Sequence, residues 1–208
     1  MSEREVVRLP LPPQPWLYSE RLLRALEAAA LMHAGQKKKG TSVPYLSHLL
    51  GTCSIALEHG ADEDEAIAAL LHDAIEDVEP AAEAREVVWS FGARVGRIVE
   101  GCTDSDAHPK PPWRERKEAH LRHLPEADAS TLLVSAADKL HNARRIVSDA
   151  RREGPSVWSL FAAAPDELAW YYRALVGGFR ANPAHAPALV DELERAVEEL
   201  ERLAAAVG

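Results

Sequence analysis

The chain has 208 residues, with 24 Lys and Arg against 33 Asp and Glu, a formal net charge of −9, and 47% hydrophobic residues. Such a length buries a substantial core without cross-links. The acidic balance disfavours a nonspecific nucleic-acid binder, which must neutralise many phosphates, and no apolar run approaches the 18 or so residues of a membrane span.

Cys53 and Cys102 show no CxxC spacing, so both are expected as free thiols of a soluble, cytoplasmic protein. The N-terminus has no charged-then-apolar leader pattern. Abundant Ala, Leu and Glu with few aromatics points to an all-α chain. Residues 1–18 are proline-rich without an apolar period and are expected as an extended arm, with 19–208 forming a single domain. From Ser19, the spacing of Leu22, Leu23, Leu26, Ala29, Ala30 and Met32 gives an amphipathic helix ending near Gly35. After the loop QKKKGTSVP, Pro44 precedes a second helix from about Ser47 to His59 that is apolar over much of its surface. Asp62 with Glu65 three residues on reads as a capping box. The helix it opens runs through LLHDAIEDVEP and stops at Pro80. Ala81–Phe91 and Ala93–Gly101 are two shorter helices broken at Gly92. The polar stretch Thr103–Pro112 is a candidate lid or substrate loop, although most such loops are connectors. A basic helix covers Trp113–His123. The long helix from Ala129 to about Arg152 places Leu132, Leu133, Ala136, Leu140, Ala143, Ile146 and Val147 on one side and Asp138, Asn142 and Arg145 on another. An aromatic-rich helix over Asp166–Arg180, with Trp170, Tyr171 and Tyr172 read as core, precedes an acidic amphipathic helix over Pro187–Ala205.

The stretch Leu70–Pro80 concentrates the chemistry. On a regular helix His72 stacks with Glu76 and Asp73 with Asp77, all within roughly 140° of one face, while Ile67, Leu70, Leu71, Ala74 and Val78 take the opposite arc. A solvated acidic face is the bland alternative, but the small residues Ala66, Ala68 and Ala69 beside it invite close approach by another segment. Candidate partners are His48 near the start of the second helix and Asp138 midway along the long one, where a carboxylate requires solvent, a basic partner or a metal. Two imidazoles and two carboxylates suit Mn, Fe or Zn with positions left for water and a phosphate oxygen. Glu76 and Asp77 would then orient or deprotonate that water. Lys37, Lys38 and Lys39 form the densest basic patch, by frequency more often a solvated turn than a phosphate site.

The ordered blocks HAGQKKK, PYLSH, AALLHDAIEDV, FGARVGRIVEGCTD, RKEA and LVSAADKLHNARRI resemble the hydrolase domain of RelA/SpoT-type enzymes, an HD-superfamily phosphohydrolase, over about His33 to Arg145. That resemblance implies an HD-domain helical bundle of about 8–10 helices and a stand-alone small alarmone hydrolase. It implies that His48, His72, Asp73 and Asp138 hold one metal, typically Mn²⁺, and that Glu76 and Asp77 are the catalytic pair. It also implies that Lys38, Lys39 and Asn142 contact the guanine nucleotide, and that the 3′-pyrophosphate of (p)ppGpp is released from GDP or GTP. The implied partner is a small nucleotide, with no nucleic acid or membrane and an oligomer allowed. Lys38 stands where the family usually has Arg, and an ammonium cannot stack on a purine as a planar guanidinium does. Leu49 follows His48 where the family has Pro. His33, His141 and Arg145 are read as packing or supporting residues. Alternative functions are hydrolysis of another nucleotide, such as an adenosine alarmone or NADPH, and a non-catalytic nucleotide-binding regulatory module.

Overall fold

Every regular element among the described residues is helical, apart from one isolated antiparallel bridge between Lys37 and Pro44. The computed structural model describes residues 18–105 and 109–207; the expected N-terminal arm lies almost wholly outside them, as does the middle of the candidate lid loop. The helices are α1 (Glu20–Met32), α2 (Leu46–Glu58), α3 (Glu63–Leu71), α4 (Ala74–Asp77), α5 (Ala81–Ser90), α6 (Ala93–Cys102), α7 (Trp113–His123), α8 (Ala129–Glu153), α9 (Pro165–Ala181) and α10 (Pro187–Ala205). None is long and apolar enough to cross a membrane.

Local chemistry sets the helix ends much as the sequence suggests. The Ser19 hydroxyl accepts from the Arg21 amide to start α1. At α3 both halves of the capping box form, with Asp62 accepting from the Glu65 amide at 3.0 Å and Glu65 accepting from the Asp62 amide at 2.8 Å. Gly92, at φ 118°, makes the break between α5 and α6 in a conformation that L side chains avoid. Asp128 caps α8 through the Thr131 amide. Two 3-10 segments, Leu124–Glu126 and Gly154–Leu160, lie in stretches that the apolar period leaves unassigned.

The 25-residue α8 is the axis of the bundle and packs against α2, α3, α6, α9 and α10. Its apolar side, including Leu132, Ala136, Leu140 and Ala143, is buried against the wholly buried Leu49, Ile67 and Leu71. Ala66, Ala68 and Ala69 on α3 are fully buried, so this helix carries no solvated acidic face at its centre.

One expectation requires correction. LLHDAIEDVEP is not a single helix: α3 ends at Leu71, His72 is its C-cap, and the four-residue α4 begins after Asp73. Asp73 sits at φ −95°, ψ −1°, in the bridge region between helical and extended backbone. The bond from the Asp77 amide to the Asp73 carbonyl survives at 2.9 Å. The helical path therefore continues, but its faces are re-aimed.

Candidate metal centre and its cleft

The re-aimed turn brings two consecutive side chains together. On a regular helix neighbours diverge by 100°, yet here His72 Nε2 and Asp73 Oδ2 are 3.0 Å apart. His72 Nδ1 lies 2.9 Å from the Ala69 carbonyl, which commits that nitrogen to donating its proton. Nε2 is left buried and without a hydrogen-bond partner.

From α2, His48 Nε2 lies 3.3 Å from Asp73 Oδ2 and 3.2 Å from Asp138 Oδ1 of α8, and Asp138 Oδ1 is 3.6 Å from His72 Nε2. The other ring nitrogen of His48 is 2.8 Å from His141 Nδ1. Burial, then the positive neighbours His48 and Lys38, lower the His141 pKa to about 4, so His141 is a neutral acceptor that turns His48 Nε2 toward the carboxylates. Asp138 Oδ1 also accepts from the Asn142 amide, and Oδ2 accepts from Lys139 Nζ, each at 2.6 Å.

This donor set fits a divalent cation. His48, His72 and Asp138 each place one ligand atom within 4.8 Å of the others, and Asp73 Oδ2 meets both imidazoles. Donor spacings of 3.0–3.6 Å are those of adjacent corners around an ion bound at about 2.0–2.2 Å. The electrostatics agree. Burial alone would raise the carboxyl of Asp73, yet His72 and His48 hold it well below the usual carboxylate range. Asp138, the more buried of the two, is held down by Lys139 and both imidazoles. The pocket thus stabilises positive charge among its ligands.

Glu76 and Asp77 flank this centre on α4. Glu76 Oε1 pairs with Lys110 at 2.9 Å, Oε2 accepts from the Asp104 amide at 3.2 Å, and Arg116 stands 3.7 Å away. Asp77 pairs with Lys110 at 3.3 Å and accepts from the Tyr45 hydroxyl, also at 3.3 Å. Tyr45 Oη further donates to Asp73 Oδ2 at 2.6 Å, joining the candidate ligands to the acidic pair. Burial, reinforced by Asp73 and Asp77, pushes the Tyr45 pKa far up and keeps it a donor. Tyr45 lies inside the PYLSH block, three residues before His48, and that helical spacing was a usable signal. Lys110 and Asp104 belong to a polar loop in which nothing distinguishes them by spacing.

The centre opens into a cleft of about 300 Å³. Tyr45, His48, Lys117, Lys139 and Asn142 are shared between the acidic end and the cleft proper. Lys38 and Lys39 do line it, so the Lys triplet is more than a solvated turn. Burial and then Arg145 lower the Lys38 pKa. The aromatic helix α9 also reaches the cleft through Tyr171 and Tyr172, with Trp113 edge-on to Tyr171 at 5.8 Å between centroids and Phe161 also lining it; both tyrosines are buried, so they are core and pocket wall at once. Behind the acidic end, Asp104 accepts from Lys117 and lies 3.1 Å from His120 Nδ1. Cys53 and Cys102 are free thiols, and burial raises the Cys53 pKa to about 11. They fill core space.

The family model for the HD domain matches residues 25–166. Guanosine-3′,5′-bis(diphosphate) 3′-pyrophosphohydrolase MESH1 of Danio rerio is 38% identical over 141 residues, 66% of this chain and 73% of that protein. The protein of the same name from Homo sapiens is 37% identical over 142 residues, 67% of this chain and 74% of its own. A solved structure described as a metazoan ortholog of SpoT that hydrolyzes ppGpp superposes with a TM-score of 0.68 at 26% identity. That superposition covers 88% of this chain and 97% of the other.

Proposed function

The chain belongs to the HD domain family, and on that premise we propose that it hydrolyses guanosine 3′,5′-bis(diphosphate) at its 3′-pyrophosphate, with Mn²⁺ as the ion. The observation that carries this reading is the convergence of His48, His72, Asp73 and Asp138 beside Glu76 and Asp77, at one end of a cleft whose other walls are basic and aromatic. Residues 19–208 are proposed as one HD-type unit, since α9 and α10 pack on α8, and the two free thiols favour a cytoplasmic setting.

His48, His72, Asp73 and Asp138 would hold the ion, which when bound supplies positive charge for the phosphate oxygens and a more acidic water. Glu76, aimed by Lys110 and the Asp104 amide, takes a proton from the attacking water. The water oxygen bonds to the phosphorus on the ribose 3′ oxygen, the P–O3′ bond breaks, and the ribose oxygen leaves as a hydroxyl with the proton that Glu76 took from the water. Lys110 offsets the charge of the acidic pair so that a phosphate anion can approach. Asn142 and Lys139 fix Asp138 from the side facing the cleft. Lys38 and Lys39 meet the nucleotide beyond them.

Purified protein with Mn²⁺ and ppGpp should give GDP and pyrophosphate in equal amounts. Release of orthophosphate from NADPH with no pyrophosphate from ppGpp would overturn the substrate.

A further inference from the structure

One face of α8 runs the length of the cleft. Asp138, Asn142, Arg145 and Asp149 follow at intervals of four, three and four residues, so they share a stripe, and the last three line the cleft proper. At a rise of about 1.5 Å per residue, Arg145 lies roughly 10 Å along the helix from the candidate ligand Asp138. The far end of the cleft therefore stands roughly 10 Å from the candidate metal centre.

The charge at this far end is unbalanced. Asp149 accepts from Arg145 Nε at 2.6 Å through one oxygen and from Arg152 Nη2 at 2.8 Å through the other. Both carboxylate oxygens are thus engaged. The Arg145 guanidinium is gripped by its Nε edge, and among the described residues no group accepts from its Nη atoms. Lys38 and Lys39, on the same wall, make no ion pair within 4.0 Å among the described residues, although Asp149 and Asp138 lie near enough to act on Lys38. At this end of the cleft, Arg145, Lys38 and Lys39 therefore face one carboxylate, Asp149, already shared with Arg152. A planar fork fixed at one edge, with free donors on the other, matches phosphate oxygens.

We propose that Arg145, held by Asp149 and assisted by Lys38, determines specificity for nucleotides carrying a second phosphoryl group at the end opposite the one cleaved. For the substrate proposed above, on which this inference rests, that group is the 5′-diphosphate. Arg145 is placed by Asp149 before the ligand arrives, so little of its freedom is lost on binding.

The test compares ppGpp with guanosine 3′-diphosphate bearing a free 5′-hydroxyl, in the wild type, Arg145→Ala and Arg145→Lys. Charged hydrogen bonds of this kind give about a tenfold effect at a partly exposed site. The ratio of kcat/KM for ppGpp over the 5′-hydroxyl compound should fall about tenfold in Arg145→Ala, mainly through KM, and recover in part in Arg145→Lys. A purely structural role for Arg145 would lower both substrates equally, and that result, or an unchanged ratio, would overturn the inference. If the wild type cleaves neither compound, the proposed activity fails and calorimetric titration with GDP decides the inference alone. Weaker GDP binding by Arg145→Ala then supports it, and equal binding overturns it.

Discussion

Gly51→Ala tests the geometry of the centre from a distance. Gly51 lies on α2, one turn from His48, and an added Cβ there would stand 2.3 Å from both Cδ2 and Nε2 of His141 on α8. Since carbon contacts settle at about 3.5–4.0 Å, the ring must move by roughly 1 Å or more. The obstructing atoms are the far end of a side chain, so the imidazole yields before either helix does. Overpacking costs about 1–3 kcal/mol, and replacing glycine by alanine inside a helix returns about 1 kcal/mol. The net loss of stability is about 0–2 kcal/mol, a few degrees in Tm. The larger effect falls on His48, because the 2.8 Å contact with His141 Nδ1 is what turns it. Losing such a supporting partner weakens metal binding by about 10- to 100-fold, equivalent to about 1.4–2.7 kcal/mol. Titration calorimetry with Mn²⁺ reads the affinity, and melting in EDTA reads the fold. His141→Ala should lower affinity similarly, and adding Gly51→Ala to it should cost little more, because the obstructing ring is gone. Wild-type metal affinity in Gly51→Ala, or additive losses in the double variant, would refute this account of how His48 is held.

Glu76→Gln and Asp77→Ala should each lower turnover by about a hundredfold or more while metal stoichiometry is kept, whereas His72→Ala and Asp73→Ala should lose the metal; a Glu76 variant with normal turnover would defeat the assigned role. Chelation should abolish hydrolysis, and metal at about a hundred times its Kd should stabilise the fold by about 2.7 kcal/mol, an upward shift in Tm that a scan with and without EDTA detects. Asp104→Asn should destabilise the chain by about 3–5 kcal/mol near neutral pH, because Lys117 loses a buried counter-charge and His120, which burial keeps neutral, loses a carboxylate partner. Burial opposes the Asp104 charge, but His120, Lys139 and Lys117 hold its carboxyl well below the ordinary value of 3.8. A depressed folded pKa means that its stabilisation is complete above 3.8 and is lost as the pH falls below it. Melts from pH 7 to 3 should therefore show a shallower acid loss in Asp104→Asn than in the wild type, and parallel losses would count against the assignment.

Much of this could be read from residue types because the signals are local. A capping box, a glycine and a period of 3.6 are written within a few residues, and the helices they announce are present, although the one opened by the capping box ends at Leu71 instead of Pro80. The four candidate ligands were legible for a different reason. His and Asp at spaced helical positions are costly to bury unless they meet one another, so those beside apolar stripes point to a shared centre. What escaped depends on contacts between segments far apart in the chain. Nothing in TDSDAHPKPP marks Lys110 as the residue that reaches back 34 positions to Glu76. Asn182, whose amide donates to the Leu124, Pro125 and Ala127 carbonyls, ties α9 to the 3-10 turn and looks in sequence like any helix-terminal asparagine. Tyr171 and Tyr172 of α9 were legible as core, whereas Trp170, expected there too, is only partly buried with Arg114 over its ring; the second role of the tyrosines as cleft wall depends on Trp113 and Phe161 from other segments.

The break between His72 and Asp73 is the hardest feature to foresee and the most consequential. LLHDAIED contains no glycine or proline, and its propensities favour an uninterrupted helix. In a regular helix His72 and Asp73 would point about 100° apart. Breaking it places both donors at one point and divides the motif between two supports. His72 is the C-cap of α3, whose Ala66–Leu71 stretch is buried on every side, so its position is fixed by the core. Glu76 and Asp77 follow on a single turn, α4, whose polar partners Gln36, Tyr45, Asp104 and Lys110 come from loops and helix starts. A preformed ligand set needs the rigidity of the first support. A carboxylate pair that must take up a proton and return it, with Lys110 offsetting its charge, needs the give of the second, and substitutions at Gln36 or Lys110 should alter turnover while leaving metal affinity intact.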